Sequence, residues 1–233
     1  MIHFISSLIK DFINLIYPKL CLTCGNDLSS REELMCAKCE YDLPKTKFHK
    51  ERDNPVEQIF WGRTQIEHAT AFFFYMKGSR YQKLIHDLKY RGQKHIGKKM
   101  GKKMAMELTD SYFNEVDAIV PVPLHPKKQR KRGYNQSEWI ARGISEVFDT
   151  PVINNSLYRK LNNKSQTKKS RFDRWQNVKD VFAVKNENDF TNKHVLLVDD
   201  VITTGATLEA CINQLLGCKN CRVSLICLGY SKD

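Results

Sequence analysis

The sequence predicts an α/β fold: a parallel sheet flanked by helices, preceded by a small N-terminal cysteine module. Three observations predict it. From about residue 66 onward, short β-branched and aromatic runs alternate with segments of helical period, and strands alternating with helices argue for a parallel sheet. His194–Val198 is a continuous apolar run, as expected of a parallel strand covered on both faces. Near the start, four cysteines stand as two C-x2-C pairs. The expected division is 1–55 (N-terminal helix, cysteine module and linker) and 56–233 (the α/β domain).

Taken in order, Ile2, Ile5, Ile9, Phe12 and Ile16 recur at steps of three and four, so Met1–Leu20 reads as an amphipathic helix. Its apolar face is expected to pack on this protein or a partner, with contact at a membrane surface as the alternative. Lys10 and Asp11 interrupt it as a membrane span. No basic residue precedes the apolar run and no small-residue cleavage site follows, so a signal peptide is not expected. The expected compartment is therefore the reducing cytoplasm, where cysteines stay as thiols or metal ligands.

Cys21, Cys24, Cys36 and Cys39 read as C-x2-C, eleven residues, C-x2-C. Each pair can turn two thiolates into one site, and Gly25 allows the positive φ such a turn often needs. Four sulfurs in a tetrahedron are the preferred shell of structural zinc, with no position left for water. Two disulfides and an iron–sulfur cluster are the alternatives. The remaining cysteines, Cys211, Cys218, Cys221 and Cys227, read as small buried hydrophobes, with a redox role for the Cys218/Cys221 pair as the weaker reading.

The zinc-ribbon-like module should end near Leu43-Pro44, and Lys45–Pro55 reads as a polar linker. Ile66–Tyr75 reads as a strand. Tyr81–Leu108 has helical spacing, interrupted near Arg91-Gly92. In Asp117–Pro123 a short apolar run is ended by Pro121 and Pro123, which cannot donate to a ladder. Asn135–Phe148 reads as a helix, with Asn135 as N-cap and Glu138 at capping-box spacing. Thr207–Leu216 is a helix stopped by Gly217, and Arg222–Leu228 is a last strand.

The chain has 233 residues, enough for a core without disulfides, and its 41% apolar and 27% charged content is ordinary for a globular protein. Its formal net charge of +12 favours an anionic partner.

The most informative segment is 194–207. An apolar strand ends in Asp199 and Asp200. A short loop with Thr203, Thr204, Gly205 and Thr207 follows, and then a helix starts. Ligands of open α/β sheets bind beyond the carboxyl ends of the strands. A helix start offers unpaired N–H groups and a positive dipole end to an anion. The threonines add hydroxyl donors. Neither a Walker A loop nor G-x-G-x-x-G is present. Two adjacent acids beside a phosphate loop suit the vicinal hydroxyls of a ribose whose 5′-phosphate sits in the loop. The plainer alternative is a strand end whose aspartates cap the next helix.

Val195–Thr207 resembles the thirteen-residue phosphoribosyl pyrophosphate (PRPP) motif of type I phosphoribosyltransferases. The resemblance implies that fold. It gives Asp199 and Asp200 the catalytic place, on the ribose hydroxyls. It implies a binding stretch from Val201 and Ile202 through Thr203, Thr204, Gly205, Ala206 and Thr207, and Mg2+ accompanying PRPP. Val120-Pro-Val-Pro-Leu-His-Pro with Lys127–Gln136, and Lys164-Ser-Gln-Thr with Arg171–Arg174, Asn177 and Phe182, closely resemble the ComF family of competence proteins. So does a four-cysteine zinc element ahead of the transferase domain. ComF resemblance implies a role in DNA uptake during natural transformation, with single-stranded DNA and a membrane-associated uptake helicase as partners. An active transferase of nucleotide or base salvage is the alternative, its acceptor unread.

The positive charge falls in three runs. Lys77–Lys103 holds ten Lys/Arg against Asp87, and Lys127–Arg132 holds five in six residues. Arg159–Lys179 holds eight, with Asp173 inside it and Asp180 directly after. The first run reads equally as solvated helix faces. The second follows a strand end, where Arg can clamp a pyrophosphate. The third lies where the resemblance implies a mobile hood. Tyr81, Tyr90, Tyr134, Phe172 and Trp175 interleave with these cations, the pattern of stacking plus a basic groove that binds single strands. Each of these rings reads equally as core.

Overall fold

The computed structural model describes residues 18–160 and 181–231. The expected Met1–Leu20 helix lies almost wholly outside them, as does most of the third basic run, with Lys164–Thr167, Phe172 and Trp175. In chain order the elements are α1 (Ala37–Tyr41), α2 (Pro55–Gln58), β1 (Ala69–Phe74), α3 (Gln82–Tyr90), α4 (Lys94–Glu107), β2 (Ala118–Pro121), α5 (Pro126–Arg132), α6 (Gln136–Phe148), β3 (Leu157–Arg159), β4 (Phe182–Val184), β5 (His194–Ile202), α7 (Ala206–Leu216) and β6 (Arg222–Tyr230).

The main sheet has the order β1-β6-β5-β2, and every neighbouring pair is parallel. Side chains alternate across it. Leu196, Val198, Ile226 and Leu228 join α3, α4 and α6 on one face. Val195, Leu197, Leu225 and Cys227 join α2 and α7 on the other. Both faces are covered, which is why β5 reads as an unbroken apolar run.

The break at Arg91-Gly92 separates α3 from α4 as expected, with Gly92 at φ +70°. Asn135 caps α6, its Oδ1 accepting from Ser137 N (3.2 Å). The capping box is not closed: Glu138 instead takes Arg142 one turn on (2.7 Å), because a charged i,i+4 partner competes for the carboxylate.

Three other expectations change. β5 does not stop at Val198. It continues to Ile202, because β6 is long enough to pair with it as far as Ile202↔Tyr230. The loop shrinks accordingly and α7 starts at Ala206. Lys45–Pro55, expected as a linker, is packed against β1: Thr46 N donates to Phe72 O (3.1 Å), Phe48 is buried, and Asn54 Nδ2 donates to Ala69 O (2.9 Å) while its Oδ1 caps α2. Polar composition concealed this, because the asparagine supplies backbone bonds rather than apolar area. The short antiparallel pair β3–β4 and helix α5 were not foreseen, since three-residue strands and an all-polar helix carry no periodic signal.

The cysteine module is fused to the main core, where Cys21, Leu34, Met35, Cys39 and Leu43 cluster with Phe73, Tyr81 and Leu84. Helices α4 and α6 cross at backbone contact. A Cβ on Gly101 would stand 2.3 Å from Ile140 O, and one on Gly143 only 2.0 Å from Lys98 O. That crossing fixes where the start of α6 sits above the sheet.

Candidate functional site

The four Sγ atoms of Cys21, Cys24, Cys36 and Cys39 lie within 4.8 Å of one another, with Cys24 Sγ and Cys36 Sγ 3.7 Å apart. Tetrahedral sulfurs at the usual 2.3 Å zinc distance stand about 3.8 Å apart. The donor set therefore fits a closed metal site. Cys36 N donates to Cys21 Sγ (3.4 Å), and Gly25 takes φ +81° as the turn requires. None of the eight cysteines is disulfide-bonded, so the alternative of two disulfides is not seen. Cys211, Cys218, Cys221 and Cys227 are buried, as read, and burial pushes the Cys221 thiol up to about 12.

At the carboxyl edge of the sheet, β5 carries the two aspartates to its last turn before the loop. Ser137 Oγ donates to Asp199 Oδ1 (2.9 Å), which also accepts from Asp200 N (2.8 Å). Gln136 Nε2 donates to Asp200 Oδ2 (3.4 Å), and Lys89 Nζ pairs with Asp200 Oδ1 (2.9 Å). Burial, then the neighbouring Asp200 charge, raises the Asp199 carboxyl to about 7. The opposing bond from Ser137 and the charge of Lys89 only moderate that rise. Gln136 is 2% exposed and its Oε1 has no partner, a buried acceptor left over beside two acids.

The loop behaves differently. Thr203, Thr204, Ala206 and Thr207 are exposed, and no side chain caps α7. The aspartates are thus not caps, and the plainer alternative fails. The N–H groups at the start of this eleven-residue helix are left without a side-chain cap. Gly205 sits at φ +73°. A Cβ there would stand 2.7 Å from Ile59 Cγ2, so its side of the turn is closed by α2 and the following turn rather than open to an anion. From behind, Arg63 Nη1 donates to Thr204 O (2.9 Å) and its Nε to Glu209 (3.0 Å), bracing the turn. Val201 and Ile202 belong to β5, and Ile202 is buried.

Lys89, Gln136, Ser137 and Arg63 are the neighbours that reading the motif missed. The first lies in a basic run whose partners cannot be ranked from sequence. The next two directly follow the Asn135 cap, and their role depends on the α4–α6 crossing.

Of the five aromatic candidates, Tyr81 is core, its hydroxyl donating to Cys39 O (3.0 Å). Tyr134 is half-buried and bonds Leu88 O. Tyr90 is 64% exposed. Among the described residues, no helix is long and apolar enough to cross a membrane.

A family described as phosphoribosyl transferase domain matches residues 92–232. The chain is similar to "Competence protein F" of Haemophilus influenzae, 36% identical over 57% of this chain and 60% of that one. It thus spans less than two thirds of that relative's length. It is also similar to "Competence protein ComFC" of Bacillus subtilis, 26% identical over 85% of this chain and 78% of that one. To "DNA utilization protein YhgH" of Escherichia coli K12 it is 28% identical over 62% of this chain and 65% of that one.

Proposed function

From the premise that the chain belongs to the phosphoribosyl transferase domain family, with relatives named for competence and DNA utilization, we propose that it binds PRPP and single-stranded DNA and acts in DNA uptake during natural transformation. One observation carries the PRPP half: two adjacent carboxylates near the end of β5 stand six residues before an uncapped helix start, with exposed threonines in the loop and the first turn between and after them. Asp199 and Asp200 receive the ribose hydroxyls. Thr203, Thr204 and Thr207, with the N–H groups of Ala206 and Thr207, receive the 5′-phosphate. A carboxylate offers about four lone-pair sites, so the bonds from Ser137, Gln136 and Lys89 leave acceptors for a sugar.

Hard oxygen donors of this kind suit Mg2+, which would supply charge neutralisation for the pyrophosphate. The protein's own contribution is position: Ser137 and Gln136 orient the acids, and the helix start holds the phosphate before any bond at the anomeric carbon changes. Zinc in the four-cysteine site is structural, since all four ligand positions are protein. We also propose a division of roles near residue 55, with a cysteine module that packs on the α/β core and supports rather than performs this binding. An uptake helicase is the partner that ComF resemblance suggests, in the cytoplasm.

Calorimetry with PRPP and Mg2+ tests the reading. The native chain should bind, and Asp199→Ala with Asp200→Ala should abolish binding while the fold survives. Pyrophosphate release with candidate nucleophiles then separates turnover, as in a salvage enzyme, from binding alone. Transformation that survives the double variant would detach the pocket from the biology.

A further inference from the structure

The end of α3 and the helix α5 enclose a cavity of about 350 Å3, lined by Lys89, Tyr90, Gly92, Lys128, Lys131 and Arg132. Four of its six walls are cationic. Its aromatic ring, Tyr90, is the exposed one of the three described candidates and carries the Arg132 guanidinium 5.2 Å from its centroid. Arg132, Lys131 and Lys128 have no ion-pair partner among the described residues. Lys89 is different. It lines the cavity and also pairs with Asp200 at 2.9 Å, in the acid pair assigned above to the ribose. One ammonium thus serves two sites.

Resting on the PRPP reading, we infer that this cavity is the docking point of a single DNA strand, and that Lys89 couples strand binding to occupancy of the sugar-phosphate site. Charge complementarity selects the occupant: phosphates meet the lysines and Arg132, and a base stacks beside Tyr90 on the ring face that Arg132 leaves. While the sugar site is empty, Asp200 holds Lys89. A ribose whose hydroxyls bond Asp200 would take the place of that ammonium as its partner. Lys89 is then released into the cavity, which gains a cation. By linkage, a strand that draws Lys89 away must strengthen sugar-phosphate binding by the same factor.

The test uses the full-length protein and a fluorescent oligothymidylate, with anisotropy read at fixed salt with and without ribose 5-phosphate and Mg2+. Ribose 5-phosphate lacks the pyrophosphate that would itself compete for lysines. The native protein should bind the strand about fivefold more tightly with the sugar phosphate present, at the lower end of usual couplings. Lys89→Gln should bind the strand more weakly than the native protein in both conditions, and its strand affinity should be the same with and without ribose 5-phosphate. Tyr90→Ala should weaken the strand severalfold and leave ribose 5-phosphate affinity unaltered. Equal strand affinity with and without ribose 5-phosphate, when calorimetry shows that the sugar binds, overturns the coupling and leaves the PRPP reading intact. Strand affinity unchanged by Tyr90→Ala and by Lys128→Glu with Lys131→Glu overturns the cavity as the docking point. Failure of both PRPP and ribose 5-phosphate to bind the native protein overturns the PRPP reading and this inference with it.

Discussion

The first two basic runs look alike in sequence and behave differently in the fold. In Lys77–Lys103, six cations meet acids: Arg80 with Asp42, Lys89 with Asp200, Arg91 with Asp87, Lys98 with Glu146, Lys99 with Glu33, and Lys103 with Glu40. Three of those acids, Glu33, Glu40 and Asp42, belong to the cysteine module, so the run ties α4 and the turn ahead of α3 to it. In Lys127–Arg132, no cation is ion-paired among the described residues. Its only described partner is the Tyr90 ring. Net positive charge therefore means internal attachment in one region and an outward electrostatic surface in the other. A count of lysines cannot tell them apart, because five of the six acids that neutralise the first run, all but Asp87, are far away in sequence.

The largest effect should come from removing the metal. Structural zinc in small modules is worth about 10–16 kcal/mol of apparent binding. Strong chelation, or Cys39→Ser, should unfold the module around residues 21–43 and release Lys99 and Lys103. The first run would then resemble the second, and non-specific strand binding at low salt should rise. Elemental analysis showing no bound metal, together with an unchanged melt under chelation, would end that account.

Next is Gly143→Ala, whose methyl has no room against Lys98 O. It should cost about 3 kcal/mol in denaturant melts, and sugar-phosphate binding should suffer because Ser137 rides on the same helix. A neutral substitution would mean that the helices are not in backbone contact.

Charge reversal sharpens the contrast directly. Lys128→Glu with Lys131→Glu should lower strand affinity about tenfold, reduce the salt slope by about 2, and leave stability within about 0.5 kcal/mol. Lys99→Glu with Lys103→Glu should do the opposite, lowering the melting temperature with little effect on the strand. If both pairs act alike, the distinction between the runs is wrong.

The smallest effect lies at the acid pair. The folded Asp199 carboxyl, at about 7, is raised from an ordinary 3.8. Between those values the native state keeps a proton that the unfolded chain has lost, so this group favours folding at low pH and loses that contribution as pH rises through about 7. Asp199→Asn should therefore be more stable than the native chain at pH 8, by about 1 kcal/mol, with the advantage shrinking towards pH 5. Melting temperatures lowered at both pH values would contradict the burial argument.

Local chemistry was legible in advance. The C-x2-C pairs, the Asn135 cap, the break at Gly92 and the acid–loop–helix order all depend on near neighbours, and they stand where the sequence places them. What lay hidden depends on distant residues. The extension of β5 to Ile202 needed β6 beside it, and the packing of Lys45–Pro55 needed the β1 backbone for Asn54 to bond.

By itself, then, the sequence determined that a strand, a loop and a helix follow one another in this order around Asp199–Thr207, though not where the strand ends, because hydrophobic period and backbone preference act over a few residues. Only the tertiary structure decided that Lys89 from one helix and Ser137 from another close around those acids, and that the five cations on α5 are left without an acid among the described residues. Ion pairs and buried hydrogen bonds join groups by distance in space, which chain position does not encode.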